Sequence, residues 1–175
     1  MGDQASFFIT NAEAMRLNPM KFSLRPFRSV DAGNLLALFR DTIRRINCRD
    51  YDPVQIAAWS SDEIDARLWA RRFEGRFVQV AEAQGIVAGF AELEPDGHID
   101  RFYVSADHQR LGVGKQLFNA ILAEAKRAGL TRLHVEASIT ARPFFESLGF
   151  TLLASQVVNC RGAELTNYRM EKILS

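Results

Sequence analysis

The nine residues from Asp107 to Lys115 read Asp-His-Gln-Arg-Leu-Gly-Val-Gly-Lys and carry the most chemically specific pattern in the chain. Gly112 and Gly114 stand between an alternating run, His98 to Val104, and an amphipathic segment that starts at Val113. This order predicts strand, tight loop, helix. Glycines at such a junction let a ligand approach the backbone, and the first helical N–H groups, which have no intrahelical acceptor, face it. With the helix dipole added, the junction suits an anion, phosphate above all. A nucleotide P-loop would need glycine in place of Gln109 and Ser or Thr in place of Gln116. A dinucleotide fingerprint would need Gly or Ala in place of Leu117, and an acidic residue in a ribose-binding context about 20 positions on. Neither pattern is met.

A second group could move protons. By two-residue alternation, His98, Asp100, Phe102 and Val104 share one face of their strand. His98 has a side chain that titrates near neutrality, which suits a general base; its alternative is a solvent-bonded strand-edge histidine. Asp100 is the second candidate base, its alternative a salt bridge to an arginine. Glu92, Glu94 and Glu136 stand in reserve, because acidic strand residues usually face solvent. His108 and His134 are assigned to loop and structure. Arg161, at a hairpin tip, could bind a substrate carboxylate or be solvated.

The remaining sequence bounds what these residues can serve. A chain of 175 residues with 47% hydrophobic content supports one domain and one core. A net charge of +1 gives no basis for a nucleic-acid surface and points to a small molecule or protein partner. Cys48 and Cys160 are far apart and lack metal-ligand spacing, so free thiols in a reducing compartment and no metal are expected. Residues 1–20 hold one basic side chain, Arg16, and their longest apolar run is Phe7-Phe8-Ile9. No signal peptide, membrane span or membrane partner is expected, and the location read from this is cytoplasmic. Residues 1–20 have no clear core partner and are expected to form a loosely held extension or part of an interface, a homodimer being one such assembly.

The elements that must position the loop follow in order. Lys21 to Arg25 alternates as a first strand before Pro26. From Asp31, a suitable N-cap, Leu35, Leu36, Leu38, Phe39, Ile43 and Ile46 recur at helical spacing. Pro53 suits the first turn of a second helical region with Ile56 and Trp59. Ser60 to Glu63 reads as a new cap, after which Ile64, Leu68, Trp69 and Phe73 continue to Gly75. Phe77–Glu82, Ile86–Leu93 and His98–Val104 form an antiparallel meander. After the loop, Leu117, Phe118, Ile121, Leu122 and Ala125 make one helical face that ends at Gly129. Leu133–Ala137 is a strand and Pro143–Leu148 a short helix stopped by Gly149. Phe150–Val158 and Leu165–Ile173 close the fold around Arg161-Gly162.

In this position, Gln109-Arg-Leu-Gly112-Val-Gly114 resembles the (Gln/Arg)-x-x-Gly-x-(Gly/Ala) pyrophosphate loop of the GNAT acyl-CoA-dependent N-acetyltransferases. Ala141-Arg-Pro-Phe-Phe-Glu-Ser-Leu-Gly149-Phe150 is similar to the family's short helix and its Leu-Gly-Phe close. Asp50 to Trp59, Ala137 to Ala141, and Cys160-Arg-Gly162 with Asn167-Tyr168 resemble a bacterial YafP-like branch. The resemblance implies an α/β (α+β) GNAT domain over residues 21–175. Its central, mostly antiparallel mixed sheet would have about seven strands flanked by helices, with strands 4 and 5 parallel and splayed around acetyl-CoA.

The resemblance also implies roles. Main-chain groups of Phe102, Tyr103 and Val104 would pair with pantetheine like an added strand, with a backbone N–H, assigned to Tyr103, polarising the thioester. Amides from Gln109 through Arg110, Leu111, Gly112, Val113 and Gly114 to Lys115 would wrap the pyrophosphate, and Phe144 and Phe145 would line the channel. The family's usual strand-5 Asn is replaced at the closest match by Ala141, with Ser138 and Thr140 as substitutes. Its usual tyrosine acid is replaced by Phe145, leaving Tyr168 or Tyr103 as candidate acids. Tyr51 and Trp59 fall in the region that covers the acceptor. His98 falls where some members place a glutamate base. An alkylamine acceptor is mostly protonated at pH 7, so direct attack in a ternary complex needs a base or a desolvated pocket. The implied reaction is acetyl transfer to a primary amine of a small molecule or peptide. A non-catalytic acyl-CoA-binding or sensing module is the alternative, and a protein-interaction module a third.

Overall fold

A computed structural model describes residues 21–174, so the expected extension at residues 1–20, with its Phe7–Ile9 run, lies outside the described residues. The chain begins with β1 (Ser23–Pro26) and a 3-10 turn at Ser29–Asp31, followed by α1 (Ala32–Arg45), α2 (Pro53–Trp59) and α3 (Ala66–Arg71). Next come β2 (Phe77–Ala83), β3 (Ile86–Leu93), β4 (Phe102–Val104) and α4 (Val113–Arg127). β5 (Arg132–Ser138), α5 (Arg142–Ser147), β6 (Thr151–Cys160) and β7 (Ala163–Ile173) complete it. The strands form two antiparallel sheets, β1-β2-β3-β4 and β5-β7-β6.

Turn residues fix both long hairpins. Gln84 and Gly85 have φ of 52° and 78°, and Arg161 and Gly162 have φ of 47° and 86°, the left-handed pair that a two-residue hairpin turn requires. Pro53 opens α2 behind an Asp52–Gln55 capping box. Two caps differ from expectation. Asp31 does not cap α1 with its side chain; its carboxylate accepts the Arg28 N–H and pairs with Arg25. The cap of α3 is Asp65, which accepts from Arg67 and Leu68, and not the Ser60–Glu63 stretch.

Apolar side chains collect on both faces of the sheets. Leu117, Ile121, Val135, Phe145 and Phe150 pack under α4 and α5, and Leu35, Phe39, Ile43, Trp69 and Phe90 under α1 and α3. Gly89 lets α4 come down on β3, since a Cβ there would lie 2.8 Å from the Tyr103 carbonyl oxygen and 3.1 Å from Leu117 Cδ1.

The expected strand His98–Val104 is shorter than its alternation suggested. Glu92 N–H donates to Arg101 O, and Glu94 N–H to His98 O, so two steps from Glu92 to Glu94 face three steps from His98 to Arg101. The extra residue breaks the alternation, and His98 instead forms a parallel bridge with His134. Ile99 N–H donates to His134 O, and His134 N–H to Gly97 O. Beyond this bridge β4 pairs with β3 and β5 with β7, and the two diverge.

Candidate active site

The divergence of β4 and β5 is closed at one end by the glycine loop. Gly112 is the N-cap of α4 at φ 87°, and no side chain caps that end. The first bond inside the helix runs from Gln116 N–H to Gly112 O. The amides of Val113, Gly114 and Lys115 therefore have no intrahelical acceptor. No heavy atom lies within 4 Å of a Cβ built at Gly112, so the space over the loop is open. Arg110 makes a second left-handed bend at φ 60°, and Arg110 and Leu111 are exposed. Gln109 acts on the loop through its side chain. Its Nε2 donates to Val104 O at 2.7 Å and reaches Ser105 O at 3.4 Å, tying the loop to the end of β4. Thr42 of α1 donates to the same Val104 oxygen at 3.2 Å. Its signal in the sequence is a hydroxyl on the apolar stripe between Phe39 and Ile43.

The pairing of β4 corrects one assignment. Ser105 N–H donates to Ala88 O and Glu92 N–H to Arg101 O, and Phe90 is opposite Tyr103 between them. Alternation of an antiparallel ladder puts the Tyr103 amide on the β3 side and turns those of Phe102 and Val104 toward the divergence. Tyr103 is thus not the residue whose N–H faces the gap. Its ring stacks on Phe90 and meets Phe39 edge-on, and burial holds its hydroxyl far above the ordinary tyrosine value. Phe144 packs against Phe102, and its ring lies 3.1 Å from a Cβ built at Gly114, so glycine is needed to seat it. Phe145 does not line the gap. It is 2% exposed and packed against Phe102, Phe144 and Phe150, which makes it core.

At the far end of β5, polar groups are engaged with one another. Ser138 Oγ accepts the Ala141 N–H, and Asn47 Nδ2 reaches Ser138 Oγ and Thr140 Oγ1 at 3.4 and 3.3 Å. Thr140 donates to Asp50. Tyr51 is a buried strut: its hydroxyl accepts from Ile139 N–H and donates to Thr166 O at 2.6 Å. Trp59 is half-buried with its ring edge-on to Tyr51. Arg161 donates to Ala58 O, joining the β6–β7 hairpin to α2. Tyr168 shares its sheet face with Met170, and the Arg142 guanidinium covers its ring at 4.6 Å. A cleft of about 680 Å³ between α1 and α2, lined by Arg44, Cys48, Tyr51, Ile56 and Ser60, holds Tyr51 alone of these site residues.

A charge network occupies the root of the divergence and engages both candidate bases. Asp100 pairs with Arg76 at 3.0 Å and Arg72 at 3.2 Å. Burial pushes its carboxyl up, but Arg101, Arg72 and Arg76 outweigh that and hold it below its ordinary value, which makes Asp100 a weak base. His98 is no free base either. Its Nδ1 is 2.8 Å from Glu94 and its Nε2 is 2.6 Å from Glu136. Burial pulls the imidazole down, but the two carboxylates outweigh it and raise His98 above its ordinary value. Glu92, expected at the solvent face, is fully buried between Arg76 and Arg101. Burial raises its carboxyl while both guanidiniums oppose the rise. The Arg101 guanidinium in turn lies 4.4 Å from the Trp69 ring centroid and 4.9 Å from that of Phe73. Glu92, Glu94 and Asp100 offer oxygens within 4.8 Å of one another, but Arg76 pairs with all three and supplies the positive charge there.

Two sheets that touch at one parallel bridge and part toward a glycine-capped helix define the architecture of an acetyl-group transferase. The family model for the acetyltransferase (GNAT) domain matches residues 47–172, and the chain belongs to the GNAT acetyltransferase family. The uncharacterised N-acetyltransferase YafP of Escherichia coli is 33% identical over 147 residues, 84% of this chain and 93% of its own. The crystal structure of a GCN5-related N-acetyltransferase from Rhodopseudomonas palustris superposes with a TM-score of 0.84 at 35% identity, covering 89% of this chain and 98% of that one. The PaiA N-acetyltransferase of Thermoplasma acidophilum, solved with coenzyme A, superposes at 0.71 with 17% identity over 89% and 100% of the two chains. This last likeness is one of fold.

Proposed function

We propose that the chain transfers the acetyl group of acetyl-CoA to a primary amine of a small molecule or peptide, by direct attack within a ternary complex. The observation that carries this reading is the alignment of two sets of donors. The Phe102 and Val104 amides turn into the gap, and the open amides of Val113 to Lys115 stand at its mouth. The space over Gly112, empty to 4 Å, fits a pyrophosphate against those amides. The relative solved with coenzyme A supports the same assignment by fold. When bound, acetyl-CoA supplies a thioester carbonyl as electrophile and a thiolate as leaving group.

The residues of the chain do the rest. Thr42 and Gln109 hold the Val104 carbonyl, which orients the neighbouring amide planes of β4. Phe102 and Phe144 give the gap an apolar wall that excludes water. Direct attack is favoured because neither thiol has a histidine partner: Cys48 is exposed, and Cys160 Sγ contacts Ala58 O and Arg161.

Calorimetric titration with acetyl-CoA, paired with thiol release over a panel of amines, tests the reading. In Gly112→Val the new side chain fills the open space, and acetyl-CoA affinity should fall about tenfold or more, some 1.4 kcal/mol. A folded Gly112→Val protein with undiminished affinity would remove the support for the reading.

A further inference from the structure

The three side chains Glu94, His98 and Glu136 form an unbroken line from just beyond the end of β3, across the start of the divergence, to β5. Glu94 Oε2 is 2.8 Å from His98 Nδ1, and Glu136 Oε2 is 2.6 Å from His98 Nε2. Their exposure is graded. Glu136 is 38% exposed, while Glu94 and His98 are 23% and 19% exposed. Glu136 lies on the sheet face opposite Val135 and Ala137, whose side chains fill the core under α4. It stands two residues past the His98–His134 bridge, on the side where β4 and β5 part.

Counting protons along this line shows what it can do. An imidazolium has two N–H donors, one for each carboxylate. A neutral imidazole has one. If that proton is on Nδ1, it goes to Glu94, and Nε2 and Glu136 face each other at hydrogen-bond distance as two acceptors with nothing between them. Such a pair takes up one proton readily. Asp100 is the poorer acceptor, because Arg72 and Arg76 both pair with its Oδ2 and hold the carboxyl below its ordinary value.

We propose that Glu136, His98 and Glu94 form a proton relay in which Glu136 accepts the proton of the acceptor amine and His98 Nε2 keeps it. This rests on the acetyl-transfer reading above and names the base of that same site. The amine N–H bond breaks, and its electron pair stays on nitrogen as the nucleophile. The proton passes through the Glu136 carboxylate to Nε2. The imidazolium that results is held by a carboxylate on either side. Glu136 is the catalytic residue, and His98 and Glu94 act through it.

Other groups set the charge around the ring. Glu94 comes just after the end of β3, Asp96 from the β3–β4 turn, where its carboxylate accepts the His98 N–H, and Asp100 from the same segment as His98. His134 of β5 stacks on His98 at 5.0 Å, and Arg72 and Arg76 stand behind Asp100 and Glu94. Acidic neighbours hold the proton on His98, so the relay is loaded at low pH and empties as pH rises. Its working form, with neutral His98, is present above the midpoint of that titration.

The test begins with the apoprotein, independently of any acceptor. Imidazole ¹⁵N shifts of His98 should report a titration whose neutral form carries the proton on Nδ1. Glu136→Gln puts an amide donor against Nε2 and removes a negative charge, so the midpoint should fall; Glu94→Gln should lower it as well. Turnover is then followed with n-butylamine, L-amino acids and a lysine peptide as acceptors. Glu136→Gln should lower kcat at pH 8 about 10²-fold, with acetyl-CoA affinity unchanged. The acid limb of what remains should move to lower pH, an effect that loss of stability alone does not produce. An unmoved His98 midpoint, a neutral form protonated on Nε2, or a Glu136→Gln enzyme with wild-type kcat would each overturn the relay. Absence of acetyl-CoA binding and of transfer to every amine in the wild type would instead overturn the reading on which it rests.

Discussion

Replacing Gly89 by alanine tests the packing that brings the glycine loop and β4 together. The new Cβ would lie 2.8 Å from the Tyr103 carbonyl oxygen, 3.1 Å from Leu117 Cδ1 and 3.2 Å from Val113 Cγ1. The two side chains belong to α4 and are essentially unexposed, and the oxygen is main chain in β4. No single rotamer change relieves all three contacts, so either α4 lifts from β3 or β4 shifts. Overpacking of this kind costs about 1–3 kcal/mol. For a domain of this size that lowers Tm by about 2–4 °C for each kcal/mol. The same chemical change at Gly33 in α1 meets no heavy atom within 4 Å. There alanine should stabilise by about 0.5–1 kcal/mol through helix propensity and a less flexible unfolded chain. Urea unfolding of both variants, read as midpoints at constant m, gives the two signs in one protein. Acetyl-CoA affinity should fall in Gly89→Ala and hold in Gly33→Ala. A Gly89→Ala protein as stable as the wild type, with full affinity, would refute the claim that α4 and β4 are positioned through this contact.

Two further perturbations probe the charges. Glu92→Gln removes the charge facing Arg101, which is 4% exposed, and should cost about 3–5 kcal/mol in urea unfolding, while the paired change Glu92→Met with Arg101→Met should cost much less. Asp31 is held below its ordinary carboxyl value of 3.8, first by its hydrogen bonds to Arg25. A depressed folded-state value gives stability that is present above 3.8 and lost as pH falls through and below it. Asp31→Asn should therefore lower stability at neutral pH by about 1.5–3 kcal/mol and flatten its acid dependence, both readable from urea midpoints between pH 2 and 7.

Much of the scaffold was legible because it is coded locally. Left-handed turns announce themselves by Gln84-Gly85 and Arg161-Gly162, and α4 starts at Val113 because Gly112 can take φ 87° ahead of an apolar helical stripe. Two features of the site were not coded that way. Strand alternation says which side chains share a face, but not which peptide edges are already paired. The register with β3 decides that Phe102 and Val104, and not Tyr103, turn their amides to the gap. The extra residue between His98 and Arg101 is equally silent in the periodicity, because it comes from the turn at Pro95–Gly97 and the bridge to His134. Glu92 reads as a solvent-facing acid until Arg76 and Arg101, 16 and 9 residues away, are folded against it.

Residue type thus sets what a side chain can do, and distant partners set its protonation state. At the root of the divergence four carboxylates, Glu92, Glu94, Asp100 and Glu136, meet the guanidiniums of Arg72, Arg76 and Arg101 together with His98. A guanidinium stays charged at physiological pH. His98 is the one member of this group whose ordinary value lies near neutral pH. Protonated, it balances the carboxylates. Neutral, it leaves the group one negative charge in excess, a field that would favour the alkylammonium acceptor of the proposed reaction and the loss of its proton. Under the proposed relay, one change of charge on one imidazole would both attract a cationic acceptor and activate it.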